Sequence, residues 1–215
     1  MRAPLRFAIV MALAAPLAPA AAQRTASLAV TLPAPADRGR EAPSIQTANV
    51  LRDQNFRELL HSGFPARLHY RLELWSAGGF FDDLRKQIEW DVIVSYNPLE
   101  RRYLATRIEG DKATSLGSYD KIEKVEEAIG RPFQPSFTPP ARRDRYYYIA
   151  TLDVEMLSVN DLDEVQRWLK GELRPAVHGE RNPGTAITRG AKTLMTRLLG
   201  GGTRHYQARS GIFRP

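Results

Sequence analysis

Two serines stand at spacings that chemistry could use. Ser118-x-x-Lys121 sets a lysine one helical turn after a serine, the arrangement in which lysine activates a serine for acyl transfer, and Ser158-x-Asn160 echoes the second motif of the same chemistry. That mechanism needs a third Lys-Thr-Gly strand to position substrate. Lys192-Thr193 is followed by Leu194, so the third element is missing. Ser118 reads equally as a helix cap, and Ser158 as the start of the next cap. The four histidines, His61, His69, His178 and His205, fall at no metal-ligand spacing, and no His-Glu-x-x-His occurs. Asp82-Asp83, Asp153/Glu155 and Asp161/Asp163 are acidic pairs, but none sits in a dense calcium loop. No nucleophile elbow and no glycine-rich phosphate loop is present. These residues point to a non-enzyme with no cofactor and no metal.

Binding chemistry is better represented. Arg142-Arg143-Asp144-Arg145-Tyr146-Tyr147-Tyr148 interleaves base with aromatic. In an exported protein such tyrosines divide between core and interface while the arginine stems lie along apolar surface, so nucleic acid is not the expected partner. Arg67, Arg71 and Trp75, on the polar side of a strand, join Arg142, Arg143, Arg145 and Tyr147 as the candidate partner surface. The second candidate is a basic amphipathic helix over 185–199. Ile187, Leu194, Met195 and Leu198 share its apolar face, with Arg189, Lys192 and Arg197 around it. Such a helix lies on an anionic membrane surface or packs on the body of the protein.

The elements that position these residues follow from periodicity. Ala66–Trp75 (ARLHYRLELW) alternates strictly, with Leu68, Tyr70, Leu72 and Leu74 on one side and Arg67, His69, Arg71 and Glu73 on the other, which places His69 at the surface. Lys86–Tyr96, Arg102–Ile108 and Asp144–Leu157 repeat the pattern, and Ser27–Leu32 and His205–Phe213 are shorter strand signals. Helical spacing predicts helices over 49–61, 118–129 (capped by Ser118), 161–173 (opened by an Asp161-x-x-Glu164 capping box) and 185–199. Proline-rich connections over 33–43 and 132–140 separate them. The expected fold class is α+β: an antiparallel β-sheet or sandwich with several packed helices and a basic C-terminal helical extension. The expected organisation is a leader over 1–22, a β-rich domain over 23–173 and the extension over 174–215.

The leader reading rests on Arg2 and Arg6, an apolar run from Phe7 to Leu17, and Ala20-Ala21-Ala22 before Gln23. That is the form of a cleaved secretory signal, too short for a membrane span. It predicts a periplasmic or secreted protein cut near Ala22/Gln23. The chain has no cysteine, which excludes disulfides, zinc–thiolate sites and a cysteine nucleophile. Its formal net charge of +7 is unevenly spread. Residues 23–170 hold 21 basic and 22 acidic residues, whereas residues 171–215 hold eight and two. An anionic partner for the C-terminal fifth would account for that asymmetry.

Phe56–Trp75 (FRELLHSGFPARLHYRLELW), the Phe80-Phe81-Asp82 turn, Trp90-x-Val92-x-Val94-x-Tyr96 and Asn97-x-Leu99-x-x-x-Tyr103 together resemble an exported bacterial family, domain of unknown function 4390. The resemblance spans roughly residues 27–168. It implies a signal peptide and an envelope or signalling accessory role, since such genes often neighbour sensor kinases of the nitrogen-regulation type. It transfers no active residue, and the basic helix after Thr185 falls outside it. The expected function is an exported, non-catalytic module that binds an envelope protein, such as the extracytoplasmic domain of a sensor kinase. The alternative is a peripheral membrane or lipid-binding protein that uses the basic C-terminal helix, and a third possibility is a hydrolase with an unrecognised site.

Overall fold

The alternation around Leu68 dictates the centre of the molecule. In a strand, side chains two apart share a face, so four apolar residues among four polar ones make one dry and one polar side. The structure, a computed structural model, describes residues 25–78, 81–139, 144–157 and 203–215. In it β3 (Ala66–Ser76) lies between β4 (Asp83–Asn97) and β7 (Tyr146–Met156), antiparallel to both. Register sets Tyr70 beside Trp90 and Leu152, and Leu72 beside Ile88 and Ala150. β5 (Arg102–Glu109) and β6 (Lys112–Tyr119) extend the sheet beyond β4, and β8 (Arg204–Arg209) extends it beyond β7. The order is β6-β5-β4-β3-β7-β8, antiparallel throughout.

One face of this sheet carries the core. β1 (Ser27–Thr31) and β2 (Ser44–Ala48) form a separate two-stranded ladder, and β1 packs against β7 and β8. Two helices complete the layer. α1 (Gln54–His61) begins where the Asp53 carboxylate accepts the Phe56 N–H at 2.9 Å, which satisfies an otherwise orphaned donor. Phe56 and Leu60 are its buried residues. α2 (Ile122–Ile129) buries Ile122, Val125 and Ile129, the stripe expected from its spacing. These residues join Leu68, Tyr70, Leu72, Leu74, Trp90 and Val92 in one contiguous core. Phe213 closes its C-terminal corner, exchanging two 2.8 Å backbone bonds with Tyr146 and stacking on Tyr148.

The chain is therefore sheet-dominated with two described helices, in agreement with an antiparallel α+β class. Several boundaries need correction. The first helix starts at Gln54, not Asn49, because Asn49 takes a left-handed conformation (φ 61) that no helix continues through. Ser118 caps nothing: it lies in edge strand β6, and α2 begins four residues later at Ile122, with Lys121 at the cap position and no side-chain cap bond. The spacing of Ser118 and Lys121 is thus not that of a helical turn. Strands β2 and β6 carry no strong apolar alternation and were not expected. The leader over 1–22 and the helices expected over 161–173 and 185–199 lie outside the described residues.

Candidate functional site

The polar face of the sheet is where most of the expected partner residues fall. On it Arg67 reaches diagonally across to Asp91 of β4, Nε to Oδ1 at 2.8 Å and Nη2 to Oδ2 at 3.0 Å, and its Nη1 lies 3.5 Å from Glu155 of β7. Such a forked pair is the geometry that suits guanidinium to carboxylate. Register then lines up Asp91, His69, Asp153 and His205 across β4, β3, β7 and β8. His69 Nδ1 lies 2.8 Å from Asp91 Oδ1, and His205 Nδ1 lies 2.8 Å from Asp153 Oδ1. Burial by itself would raise the Asp91 carboxyl, but the hydrogen bonds and charges of His69 and Arg67 outweigh it and hold it below the usual range. Among the described residues no three acidic or histidine side chains group as a metal site.

This arrangement revises two expectations. Arg67 is only 8% exposed, so it is a buried member of an ion network and offers no guanidinium to a partner. His69 is half-buried and engaged with Asp91, so it is not a free surface residue. Arg71, Trp75 and Tyr147 do share one face further along β3 and β7. Trp75 and Tyr147 are direct cross-strand partners. The Trp75 indole donates to Glu73 at 2.9 Å, the Tyr147 hydroxyl donates to Asp82 at 2.8 Å, and the Arg209 guanidinium sits 3.8 Å from the Tyr147 ring centre. Arg71 Nε approaches Glu73 at 3.5 Å without forming a hydrogen bond. Arg145 is exposed beside them and accepts the Ala77 N–H through its carbonyl at 2.7 Å. Arg142 and Arg143 lie outside the described residues, as do Ile187, Arg189, Lys192, Leu194, Met195, Arg197 and Leu198.

The opposite face holds a feature that the sequence did not disclose. Between β2, α2 and the sheet opens a cavity of about 260 Å³. Its floor is Tyr70 on β3 stacked on Trp90 of β4, with ring centres 5.0 Å apart and planes 4° from parallel, beside Val92. Phe133, just past α2, meets Trp90 edge-on at 5.5 Å and forms one wall. Ile45 and Thr47 of β2, with Ala128 and Ile129 of α2, form another. Leu116 of β6 and Arg131-Pro132 complete the rim.

Local chemistry builds that wall. Gly130 ends α2 so close to β2 that an added Cβ would lie 2.8 Å from the Thr47 carbonyl and 2.9 Å from that of Glu126. Only glycine lets the chain turn there and carry Phe133 back to β2, where it exchanges backbone bonds with Ile45 at 2.8 and 2.9 Å. Both oxygens of the Glu126 carboxylate are engaged, accepting the Val50 and Leu51 N–H groups at 2.8 Å each.

Arg107 is the unusual member. It pairs with Val92 in register, so an arginine stands on the apolar face of β5. Its guanidinium lies 3.7 Å from the centre of the Phe133 ring, a cation–π contact. Its Nε is 3.1 Å from Glu109 Oε1 but misaligned, and this buried nitrogen has no hydrogen-bond acceptor among the described residues. The Tyr70 phenol is pushed up to about 12, chiefly by burial, and stays neutral. The cavity thus presents aromatic walls and two guanidiniums, Arg107 and Arg131, and no carboxylate lines it. An arginine at a core-face strand position was the sequence signal available. The alternation of Arg102–Ile108 hid it, because Leu104, Thr106 and Ile108 also alternate.

No protein-family model, curated protein or solved structure matches this chain.

Proposed function

We propose that this chain is an exported, non-catalytic binding module of the cell envelope, and that the cavity beside Phe133 grips its partner. The carrying observation is that cavity: a stacked Tyr70–Trp90 floor, a Phe133 wall and a guanidinium at a core-face position. Concave sites with aromatic walls and a few placed polar groups are the usual form of a recognition pocket, and aromatic or arginine anchors carry most interface energy. The partner is an envelope protein, such as the extracytoplasmic domain of a sensor kinase. The module works in the periplasm or outside the cell after its leader is cut near Ala22/Gln23. Membership of the exported family noted above, and the further helices over 161–173 and 185–199, belong to the same proposal.

A purified partner, identified by capture on the mature chain from envelope extracts, tests this. Leu116, partly buried at the rim where it packs on the edge of the core, is replaced by tryptophan to narrow the cavity (Leu116→Trp). The affinity falls tenfold or more if the cavity is the grip. Unchanged affinity, with an unchanged melting temperature, overturns it.

The charge distribution favours one second reading. Residues 171–215, with eight basic and two acidic side chains, suit an anionic membrane surface. Flotation with anionic liposomes, with and without residues 184–215, separates it from the first: salt-sensitive flotation that needs those residues supports it.

A further inference from the structure

Resting on the reading of the cavity as a recognition pocket, we infer that its occupant is the C-terminal residue of a partner chain. The ring or branched side chain of that residue lies against Trp90 and Phe133, and its terminal carboxylate is held by Arg107 and Arg131.

Size comes first. A volume of about 260 Å³ is just below the range of drug-sized ligand sites and suits one large side chain with its terminal group. A whole cofactor does not fit, but the end of a longer chain does, because the rest of the chain stays outside the mouth. The walls come second. Stacked and edge-on aromatics on two sides receive a flat or branched apolar group.

Charge decides the third point. Two guanidiniums and no carboxylate line the cavity; Arg107 is paired with Glu109 beside it, and Arg131 supplies the charge that draws an acidic group in. Arg107 Nε is closed off beside Glu109 Oε1 at 3.1 Å, so a ligand carboxylate meets the part of the guanidinium that lines the cavity. Stacking on Phe133 fixes the Arg107 plane, so less freedom is lost when a carboxylate docks on its edge. Arg131 is exposed at the rim, where no ion pair among the described residues involves it. An internal segment can offer a carboxylate only from a neighbouring acidic side chain, whereas a C-terminal residue carries its apolar side chain and its carboxylate on the same Cα.

Calorimetry on the mature chain tests this with a pentapeptide ending in phenylalanine, its C-terminal amide, and 3-phenylpropionate. The free-acid peptide binds at least tenfold more tightly than the amide. Arg131→Ala, an exposed change, removes most of that advantage while leaving the melting temperature unchanged, and Arg107→Leu removes it further. Equal affinity for acid and amide overturns the carboxylate role. Affinity for 3-phenylpropionate equal to that for the peptide assigns the pocket to small acids and overturns the chain terminus. Failure of all three probes overturns the inference alone, since loss of partner affinity in Leu116→Trp judges the underlying reading separately.

Discussion

Arg67 and Asp91 hold each other across β3 and β4 by two bonds of 2.8 and 3.0 Å, and the arginine side chain is only 10% exposed. Charges so placed have lost most of their water, and each depends chiefly on the other, with Glu155 beside Arg67 and His69 beside Asp91 as further partners. Removing one partner therefore costs more than removing both. Arg67→Leu alone is expected to lose about 3–5 kcal/mol of stability, by the usual penalty for an orphaned buried charge. Adding Asp91→Leu recovers part of that loss. Urea denaturation of both singles and the double completes the cycle, and a strictly additive double would contradict the pairing.

Acid exposes the same carboxyl. The Asp91 carboxyl is held below the ordinary carboxylate range, against its burial, by His69 and Arg67. Asp53 is lowered chiefly by the Phe56 N–H. A carboxyl with a depressed folded value adds stability that is fully present above its unfolded value and is lost as pH falls through the folded one. The urea midpoint should thus drop steadily below about pH 4. Asp91→Asn should start lower at neutral pH and decline less steeply, a comparison that urea titrations at several pH values settle.

Glu126 of α2 accepts the Val50 and Leu51 N–H groups at 2.8 Å each, both on buried residues. Truncation leaves two buried donors without acceptors. Glu126→Ala should cost about 2–4 kcal/mol and Glu126→Gln about half as much, at roughly 1–3 kcal/mol for each buried group left unmet. Thermal melts with matched chemical denaturation read both. If glutamine and alanine behave alike, the carboxylate is not acting as an acceptor for these groups.

Gly130→Ala is expected to part α2 from β2. The added carbon would stand 2.8 and 2.9 Å from two backbone oxygens, which cannot swing aside as a side-chain tip can. The cost should be about 1–3 kcal/mol, as for other overpacked sites. Amide exchange of Ile45 and Phe133, which are bonded to each other, should quicken at the same time.

Much of the sheet was legible because its residues obey local rules. Leu68, Tyr70, Leu72 and Leu74 announce β3 by themselves, and Ile122, Val125 and Ile129 announce α2. Periodicity gives the face of a residue and not its depth, so Arg67 and His69 read as surface until Asp91 and Glu155 were seen closing on them. The false start of the first helix has the same origin. Leu51 can share a helical face with Phe56, Leu59 and Leu60, but the N–H groups of Val50 and Leu51 are claimed by Glu126, about 75 residues away along the chain. The cavity was invisible because six separate segments meet to form it. None of them has an unusual sequence beyond Arg107, whose strand alternates on both sides.

A recognition site beside Phe133, whatever its occupant carries, should take up a small aromatic molecule. The most direct measurement is an amide and indole NMR titration of the mature chain with indole, a neutral aromatic probe. Saturable shifts are expected, centred on Thr47, the Trp90 indole N–H, Arg107, Leu116, Ile129 and Phe133, and abolished by Leu116→Trp. Shifts that fail to saturate, or that centre instead on Arg71, Trp75 and Tyr147 of the opposite face, would contradict a site beside Phe133.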